Sequence, residues 1–174
     1  MRLPITLAEI PARVSAGAFI LNSGLGKHGA DEGTAAGLHG FAAGTYPFVK
    51  SMEPKQFVQA LSTAEIAVGA MLLTPFVPTA VAGLALTGFS GGLLGLYLST
   101  PGMRKPGSLA PTQEGLALAK DSWLVGIGVG LLVRGTVDRG DRRVRQAART
   151  LARANKKAAK ADRKARRTAK RARS

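Results

Sequence analysis

The chain has 174 residues, 45% of them hydrophobic, a formal net charge of +15 and no cysteine. Without cysteine it cannot form a disulfide, a thiolate metal site, an iron–sulfur centre or a redox dithiol, so any redox role requires a bound cofactor or a partner. The charge is uneven, since residues 138–174 hold 16 of the 25 basic residues and 3 of the 10 acidic ones. Residues 1–137 are therefore a nearly neutral, apolar body, followed by a polybasic tail.

Four stretches of the body have the roughly 17 to 25 mostly apolar residues that a transmembrane helix needs. They lie at about residues 5–26, 56–76, 78–98 and 116–133. The first stretch holds Glu9 and Arg13 where a cleaved signal peptide would have an uninterrupted apolar core, so we predict an uncleaved membrane helix. Pro75 and Pro78 indicate a tight turn, which makes the second and third helices an antiparallel hairpin.

The predicted fold class is all-α. Residues 1–137 are expected to form an integral membrane four-helix bundle, and residues 138–174 a polybasic cytoplasmic tail that becomes helical when an anion neutralises it. Residues 27–55 are rich in glycine and are expected to lie at the membrane interface as a short helix or re-entrant piece, with Phe41, Tyr46 and Phe48 at headgroup level. Residues 99–114 are expected to be an exposed loop.

The distribution of Lys and Arg predicts the orientation, because basic residues near helix ends stay in the cytoplasm. The tail begins within a few residues of the fourth predicted helix and places the C-terminus inside. An even number of spans then puts the N-terminus inside as well. The sequence thus predicts a multi-pass protein of the plasma (inner) membrane with both termini cytoplasmic.

Pairs of glycines four residues apart let helix backbones approach in a membrane. The third and fourth predicted helices carry such pairs at Gly88 and Gly92, Gly91 and Gly95, and Gly126 and Gly130. This spacing also arises by chance in glycine-rich membrane sequences. If these faces pack, we expect the contact to join the third and fourth helices, a structural role without chemistry.

Ionisable side chains within membrane spans are costly, by about 2.5 to 3.5 kcal/mol on insertion scales, and each is a hypothesis for a functional site. Glu9 and Arg13 lie on one helix face and can be an interfacial ion pair. Glu65 lies too deep in the second helix to reach water easily, so it is either protonated or faces a cation inside the bundle, for which Arg13 and Lys120 are candidates. Lys120 and Asp121 lie near the outer end of the fourth predicted helix, and this position favours exposure at the surface over burial for both.

Two short motifs lie in the first two predicted helices. They are R-x3-G-x6-G-x2-K in the first helix and A-E-x3-G in the second, formed by Arg13, Gly17, Gly24, Lys27, Ala64, Glu65 and Gly69. Together they resemble the motifs of the DoxX-like family of small bacterial four-helix membrane proteins. The resemblance covers residues 10–133 and not the tail. It implies a membrane subunit of a redox or stress-related assembly, in which Arg13, Lys27 and Glu65 line the polar interior. There they either bind the headgroup of a quinone cofactor, relay a proton or hold the helices in register. No other cofactor is evident.

No metal site is predicted. His28 and His39 both fall in the outer segment, whereas a haem between membrane helices would need histidines inside the spans.

The tail is composed almost wholly of Ala, Arg and Lys, with apolar or small residues at alternating steps of three and four. This pattern predicts a helix with a thin apolar stripe and a basic remainder that binds an anionic partner. The basic residues predicted to bind this partner, from position 142 onward, are Arg142, Arg143, Arg145, Arg149, Arg153, Lys156, Lys157, Lys160, Arg163, Lys164, Arg166, Arg167, Lys170, Arg171 and Arg173. Anionic lipid headgroups are the favoured partner because the tail is tethered beside the bilayer. A protein partner in a membrane complex is the next alternative, and nucleic acid is less favoured because no aromatic residue is interleaved to stack on bases.

Three functions remain open from the sequence. The first is the redox subunit with a quinone-accepting pocket, and the second is a non-catalytic membrane anchor or scaffold whose tail binds lipid or recruits a partner. A small transporter is the weakest, because four helices without an inverted repeat leave little room for alternating access. No catalytic motif is present, so whether the chain is an enzyme stays open.

Overall fold

The structure, a computed structural model, describes the backbone of residues 5–171 and the side chains of residues 5–141, 143–144 and 146–157. This part of the chain consists of helices and connecting loops. The helices are α1 (Ile10–Lys27), α2 (Glu32–Thr45), α3 (Pro54–Leu73), α4 (Thr79–Ser99), α5 (Leu116–Ala119) and α6 (Asp121–Arg171), with single 3-10 segments at Leu7–Glu9 and Pro47–Ser51. The all-α fold class predicted from the sequence is confirmed for these residues.

Helix α1 begins five residues later than the first predicted span. The Glu9 carboxylate accepts hydrogen bonds from the Thr6 amide at 3.3 Å and the Thr6 hydroxyl at 3.0 Å, and this turn precedes the helix. Pro11 then occupies the first turn of α1, where its missing N–H costs no hydrogen bond. Start signals of the same kind are present in α3, which has Pro54 at its first position.

The segment predicted to hold a short interfacial helix contains α2. Asp31 caps α2, because its carboxylate accepts a hydrogen bond of 2.7 Å from the amide of Thr34. Hydrogen bonds from the backbone and side chain of Thr34, with a smaller contribution from the Gly33 amide, lower the pKa of Asp31 below its usual value of 3.8. Residues Ala42, Ala43 and Val49 are buried with Leu96 of α4 in a small apolar cluster, so α2 is packed against the other helices.

Three helical segments are long and apolar enough to cross a membrane: α3, α4 and Leu116–Lys157. Helix α1 is not among them, and its 18 residues include Arg13, Ser23 and Lys27. It nevertheless belongs to the main core, in which Ala16 and Ile20 are buried against residues of α3, α4 and α6. By length and composition, the described part of the chain thus has three candidate spans, where the sequence predicted four.

Helices α1 and α3 form a tight antiparallel pair. A Cβ at Gly24 would lie 2.8 Å from the Cβ of Glu65, and a Cβ at Gly69 would lie 2.7 Å from the backbone nitrogen of Leu21. No side chain larger than hydrogen fits at either position without moving a backbone, so these glycines set the separation of α1 and α3.

The contact between α4 and α6 lies at other glycines than the predicted pairs. A Cβ at Gly83, Gly128 or Gly135 would come under 3.0 Å from the opposing backbone. At five of the six predicted glycines, an added Cβ would meet no atom of the described residues within 4 Å: Gly88, Gly91, Gly92, Gly126 and Gly130. At the sixth, Gly95, it would meet the Tyr46 hydroxyl. The physical reason is periodicity: Gly128 is two residues from Gly126 and from Gly130, which is about 200° around a helix of 3.6 residues per turn.

The chain divides into two compact units, with the boundary between Gly135 and Thr136. The second unit contains the tail, whose residues are helical as far as Arg171. Ala, Arg and Lys are strong helix formers, and after Gly140 this segment has neither glycine nor proline to interrupt it.

Candidate functional site

Glu65 points into the first unit and forms an ion pair with Lys27. The Lys27 ammonium lies 3.0 Å from each oxygen of the Glu65 carboxylate, and the Ser23 hydroxyl donates to the same carboxylate at 3.2 Å. Glu65 is 4% exposed. The cation inside the bundle is therefore Lys27, and neither Arg13 nor Lys120 has that role.

The register of α1 and α3 positions this pair. The buried Ser62 hydroxyl donates 2.9 Å to the carbonyl oxygen of Gly24, at the point where the two helices touch. Lys27 lies one turn beyond Ser23, so its ammonium also reaches the Ser23 hydroxyl at 2.7 Å and the Ser23 carbonyl oxygen at 3.4 Å. Ser23 is the residue that sequence reasoning missed, and its signal was the spacing of four to Lys27 on one helix face.

The ion pair opens onto a cavity of about 280 Å³, which we call the Glu65 cavity. Its polar lining is Ser23, Lys27, Glu65 and Asp121, and its aromatic lining is Phe19, Phe41, Phe57 and Phe89. Leu38, Phe41 and Ala42 come from α2, which closes the cavity on one side. The volume lies just below the about 300 to 1,000 Å³ usual for small-molecule pockets, so it suits one ring-sized group.

Asp121 was expected near the surface, and the structure instead makes it part of the Glu65 cavity. It is partly buried in the first turn of α6, and it interacts electrostatically with Glu65 and Lys27. The neighbouring Lys120 is exposed, as a surface position requires. A helix turns by about 100° per residue, so two adjacent residues face different surroundings.

Arg13 lies away from the cavity, about 21 Å along α1 from Lys27 at 1.5 Å per residue. It is 2% exposed, and its guanidinium donates to the backbone oxygens that end α3 and form the following turn. These acceptors are Met71, Leu72 and Thr74, each at 2.9 Å, and Val77 at 3.2 Å. Arg13 thus satisfies carbonyls that have no partner within the helix, which is a structural role.

Glu9 is also buried, at 4% exposure, so the predicted pair at the membrane interface is instead an internal network. The Thr79 hydroxyl donates to Glu9 at 2.5 Å and lies 3.5 Å from the Arg13 guanidinium. Arg134 of α6 approaches Glu9 at 3.8 Å. This cluster joins α1, α4 and α6 at the end of the bundle opposite to the Glu65 cavity.

The aromatic residues of the 27–55 segment have different environments. Phe41 lines the cavity and Phe48 is 70% exposed. The Tyr46 hydroxyl donates to the carbonyl oxygen of Gly92 at 2.7 Å. His39 lies with Nε2 3.0 Å from the carbonyl oxygen of Val49, and His28 is exposed. Among the described residues, no cluster of three His, Asp or Glu side chains could hold a metal ion.

In the tail, five of the predicted anion-binding residues have described side chains, and all five are exposed: Arg143, Arg149, Arg153, Lys156 and Lys157. Val144 and Leu151 of the apolar stripe are also exposed, at 69% and 65%. The other predicted residues, Arg142, Arg145, Lys160, Arg163, Lys164, Arg166, Arg167, Lys170, Arg171 and Arg173, lie outside the residues whose side chains the structure describes.

The fold and the cavity together define the class of this protein: over the residues that the structure describes, it is an all-helical protein with three helices long and apolar enough to span a membrane and a charged pocket among its helices. Comparisons with protein-family models, with curated proteins and with solved structures found no match.

Proposed function

We propose that this chain is a multi-pass protein of the inner membrane, related to the DoxX-like family, that binds a quinone-type ring in the Glu65 cavity as the membrane subunit of a redox or stress-related assembly. One observation carries the proposal: the Lys27–Glu65 ion pair lines a cavity of ring size instead of being sealed by packing. An ion pair that served only to hold two helices would need no adjacent space. Four phenylalanines line the same cavity, and aromatic rings stack favourably on a planar ligand.

Orientation is part of the proposal. Both termini are cytoplasmic only if α1 is a fourth span, and its 18 residues reach about 27 Å, close to the roughly 30 Å of a bilayer core. Since the chain has no cysteine, single cysteines introduced at Glu32, Gln113 and Arg153 report topology without background. The first two should react with an impermeant thiol reagent from outside the cell, and the third only after the membrane is opened. Labelling of Arg153→Cys in intact cells would contradict the orientation.

The ligand proposal is tested with the full chain in lipid nanodiscs and a short-chain benzoquinone, with the dissociation constant measured by equilibrium dialysis. Ala42 is 4% exposed and lines the cavity, so Ala42→Leu fills part of its volume. We expect at least a tenfold loss of affinity. Ala36→Leu is the matched control, because Ala36 is exposed on the same helix. Equal affinity of Ala42→Leu and the wild-type protein would refute the cavity as the quinone site.

A second candidate function is a membrane anchor whose tail binds anionic lipid. The exposed basic residues of the tail favour it, because each Lys or Arg near an anionic surface contributes about 1 kcal/mol. A peptide of residues 138–174 should bind vesicles containing anionic lipid, and raising the salt concentration should release it. Binding to neutral vesicles with the same affinity would contradict this function. Deletion of residues 138–174 from the full chain distinguishes lipid from a protein partner, since only a protein partner would be lost from material purified in detergent.

A further inference from the structure

The polar groups that line the Glu65 cavity differ in whether they already form hydrogen bonds within the protein. The Lys27 ammonium has three donor hydrogens, and its neighbours are the Glu65 carboxylate and two oxygens of Ser23. The Ser23 hydroxyl donates its one hydrogen to Glu65. All of the polar hydrogens that line the cavity are therefore directed at groups within the protein.

Asp121 differs from the other polar residues of the cavity. Its carboxylate has no hydrogen-bond partner within the part of the chain that the structure describes. A carboxylate offers about four lone-pair sites and, when ionised, no donor. Its place in the first turn of α6 favours the ionised form, because the N-terminus of a helix carries partial positive charge. Burial and the neighbouring Glu65 carboxylate oppose ionisation of Asp121, while the nearby Lys27 ammonium adds a full positive charge that favours it.

The cavity group that is open to a ligand is thus a hydrogen-bond acceptor, the Asp121 carboxylate. A ligand that carries only carbonyl oxygens would bring acceptors to a wall of acceptors, and a buried acceptor without a donor costs about 1 to 3 kcal/mol. A ligand with a ring hydroxyl brings the missing donor, and a hydrogen bond to an ionised acceptor is roughly twice as strong as a neutral one.

We infer that Asp121 determines the specificity of the Glu65 cavity, by accepting a hydrogen bond from a ring hydroxyl and so selecting the hydroxyl-bearing, reduced form of the ligand over its carbonyl form. This inference rests on the proposed function, since it names which redox form of a quinone-type ring the same cavity binds. Lys27, Glu65 and Ser23 act as positioning residues, because their hydrogen bonds are made among themselves.

The test uses three ring compounds of nearly the same shape on the full chain in nanodiscs: trimethylhydroquinone kept under anaerobic conditions, its dimethyl ether and trimethylbenzoquinone. Dissociation constants are measured by equilibrium dialysis for the wild-type protein and for Asp121→Asn. The ratio of the wild-type to the variant constant is compared for each compound, since partitioning into lipid cancels in that ratio. Asp141→Asn is the matched control, because it makes the same change at an exposed position of the same helix.

Once each constant is corrected for partitioning of its compound into protein-free nanodiscs, we expect the wild-type protein to bind the hydroquinone at least tenfold more tightly than either of the other compounds. Asp121→Asn should weaken hydroquinone binding about tenfold and strengthen quinone binding, because the amide adds a donor. Asp121→Glu should retain the preference for the hydroquinone, and it guards against a loss caused by misfolding. Equal binding of all three compounds, or an unchanged preference in Asp121→Asn, would overturn the role of Asp121 and leave the cavity as a binding site. Failure of all three to bind would overturn the proposed function as well.

Discussion

Removal of the Lys27 ammonium is the perturbation that most directly tests the Lys27–Glu65 pair. Lys27→Met preserves the length of the side chain and leaves the Glu65 carboxylate, whose side chain is 5% exposed, with only the Ser23 hydroxyl. Breaking a buried ion pair by removing one partner costs about 3 to 5 kcal/mol. The Lys27 side chain is 23% exposed, so water screens part of the interaction, and we expect about 3 kcal/mol, the lower end of that range.

A double-mutant cycle separates the pair from its surroundings. Glu65→Gln keeps the shape of the side chain and removes its charge, so the double variant Lys27→Met with Glu65→Gln should lose about 1.5 kcal/mol less than the sum of the single variants. Stability is measured by unfolding in mixed micelles with increasing SDS, followed by the helical circular dichroism signal.

Lys120→Met is the control for the cycle, since the same change at this exposed neighbour of the cavity should stay within about 0.5 kcal/mol of the wild-type protein. A coupling energy below about 0.5 kcal/mol would show that the two charges act independently, against the geometry described above.

Three further predictions concern the scaffold. Arg13→Met should destabilise the protein by about 4 kcal/mol, because it leaves three backbone carbonyls, those of Met71, Leu72 and Val77, without their donor. The Thr74 carbonyl also loses Arg13 but keeps the Val77 amide as a donor. Arg104→Met, at an exposed arginine with one hydrogen bond, should cost about 1 kcal/mol or less in the same SDS titration. Gly24→Ala should lower the free energy of unfolding by about 1 to 3 kcal/mol, because the added Cβ forces α1 away from α3. Gly26→Ala, whose added Cβ meets open space, should be neutral or stabilising by up to about 1 kcal/mol. Equal effects of the two substitutions would contradict the close contact at Gly24. Because the pKa of Asp31 is lowered, its carboxylate caps α2 above about pH 4, and the cap is lost as the pH falls through the lowered pKa. An NMR titration of the first amides of α2 should therefore have its midpoint below pH 3.8 in the wild-type protein. Asp31→Ala should show no such step.

The apolar stretches were predictable from the sequence because helix length and hydropathy are local properties. The second and third predicted helices differ from α3 and α4 by one to three residues at each end, and Pro54 and Pro78 explain why the helices start where they do. The first helix was placed too early, since the hydrogen bonds between Thr6 and Glu9 form a separate turn that hydropathy does not detect. Helix α2 was foreseen only as a short interfacial helix or re-entrant piece, because the burial of its small residues depends on their packing against the other helices, which the local sequence does not show.

The residues of the candidate site show a different limit. The sequence context of Glu65 predicted that it is either protonated or paired with a cation, and the two-motif pattern already included Lys27. Which cation pairs with it depends on the register of α1 against α3, and this register is set by the close contacts at Gly24 and Gly69. The role of Asp121 depends on the direction in which the first turn of α6 faces, which no local signal records.

By itself, the sequence predicted an all-helical chain with apolar segments of membrane-spanning length, a carboxylate within one of these segments that is either protonated or paired with a cation, and a basic tail. These are consequences of composition and of spacing along single helices. Only the tertiary structure decided that Lys27 is the partner, that Arg13 holds the end of α3 instead, and that Asp121 is the cavity group without a hydrogen-bond partner in the described chain. Those results depend on which faces of separate helices meet. Close contacts between small residues of different helices determine these faces, and such contacts exist only in the assembled bundle.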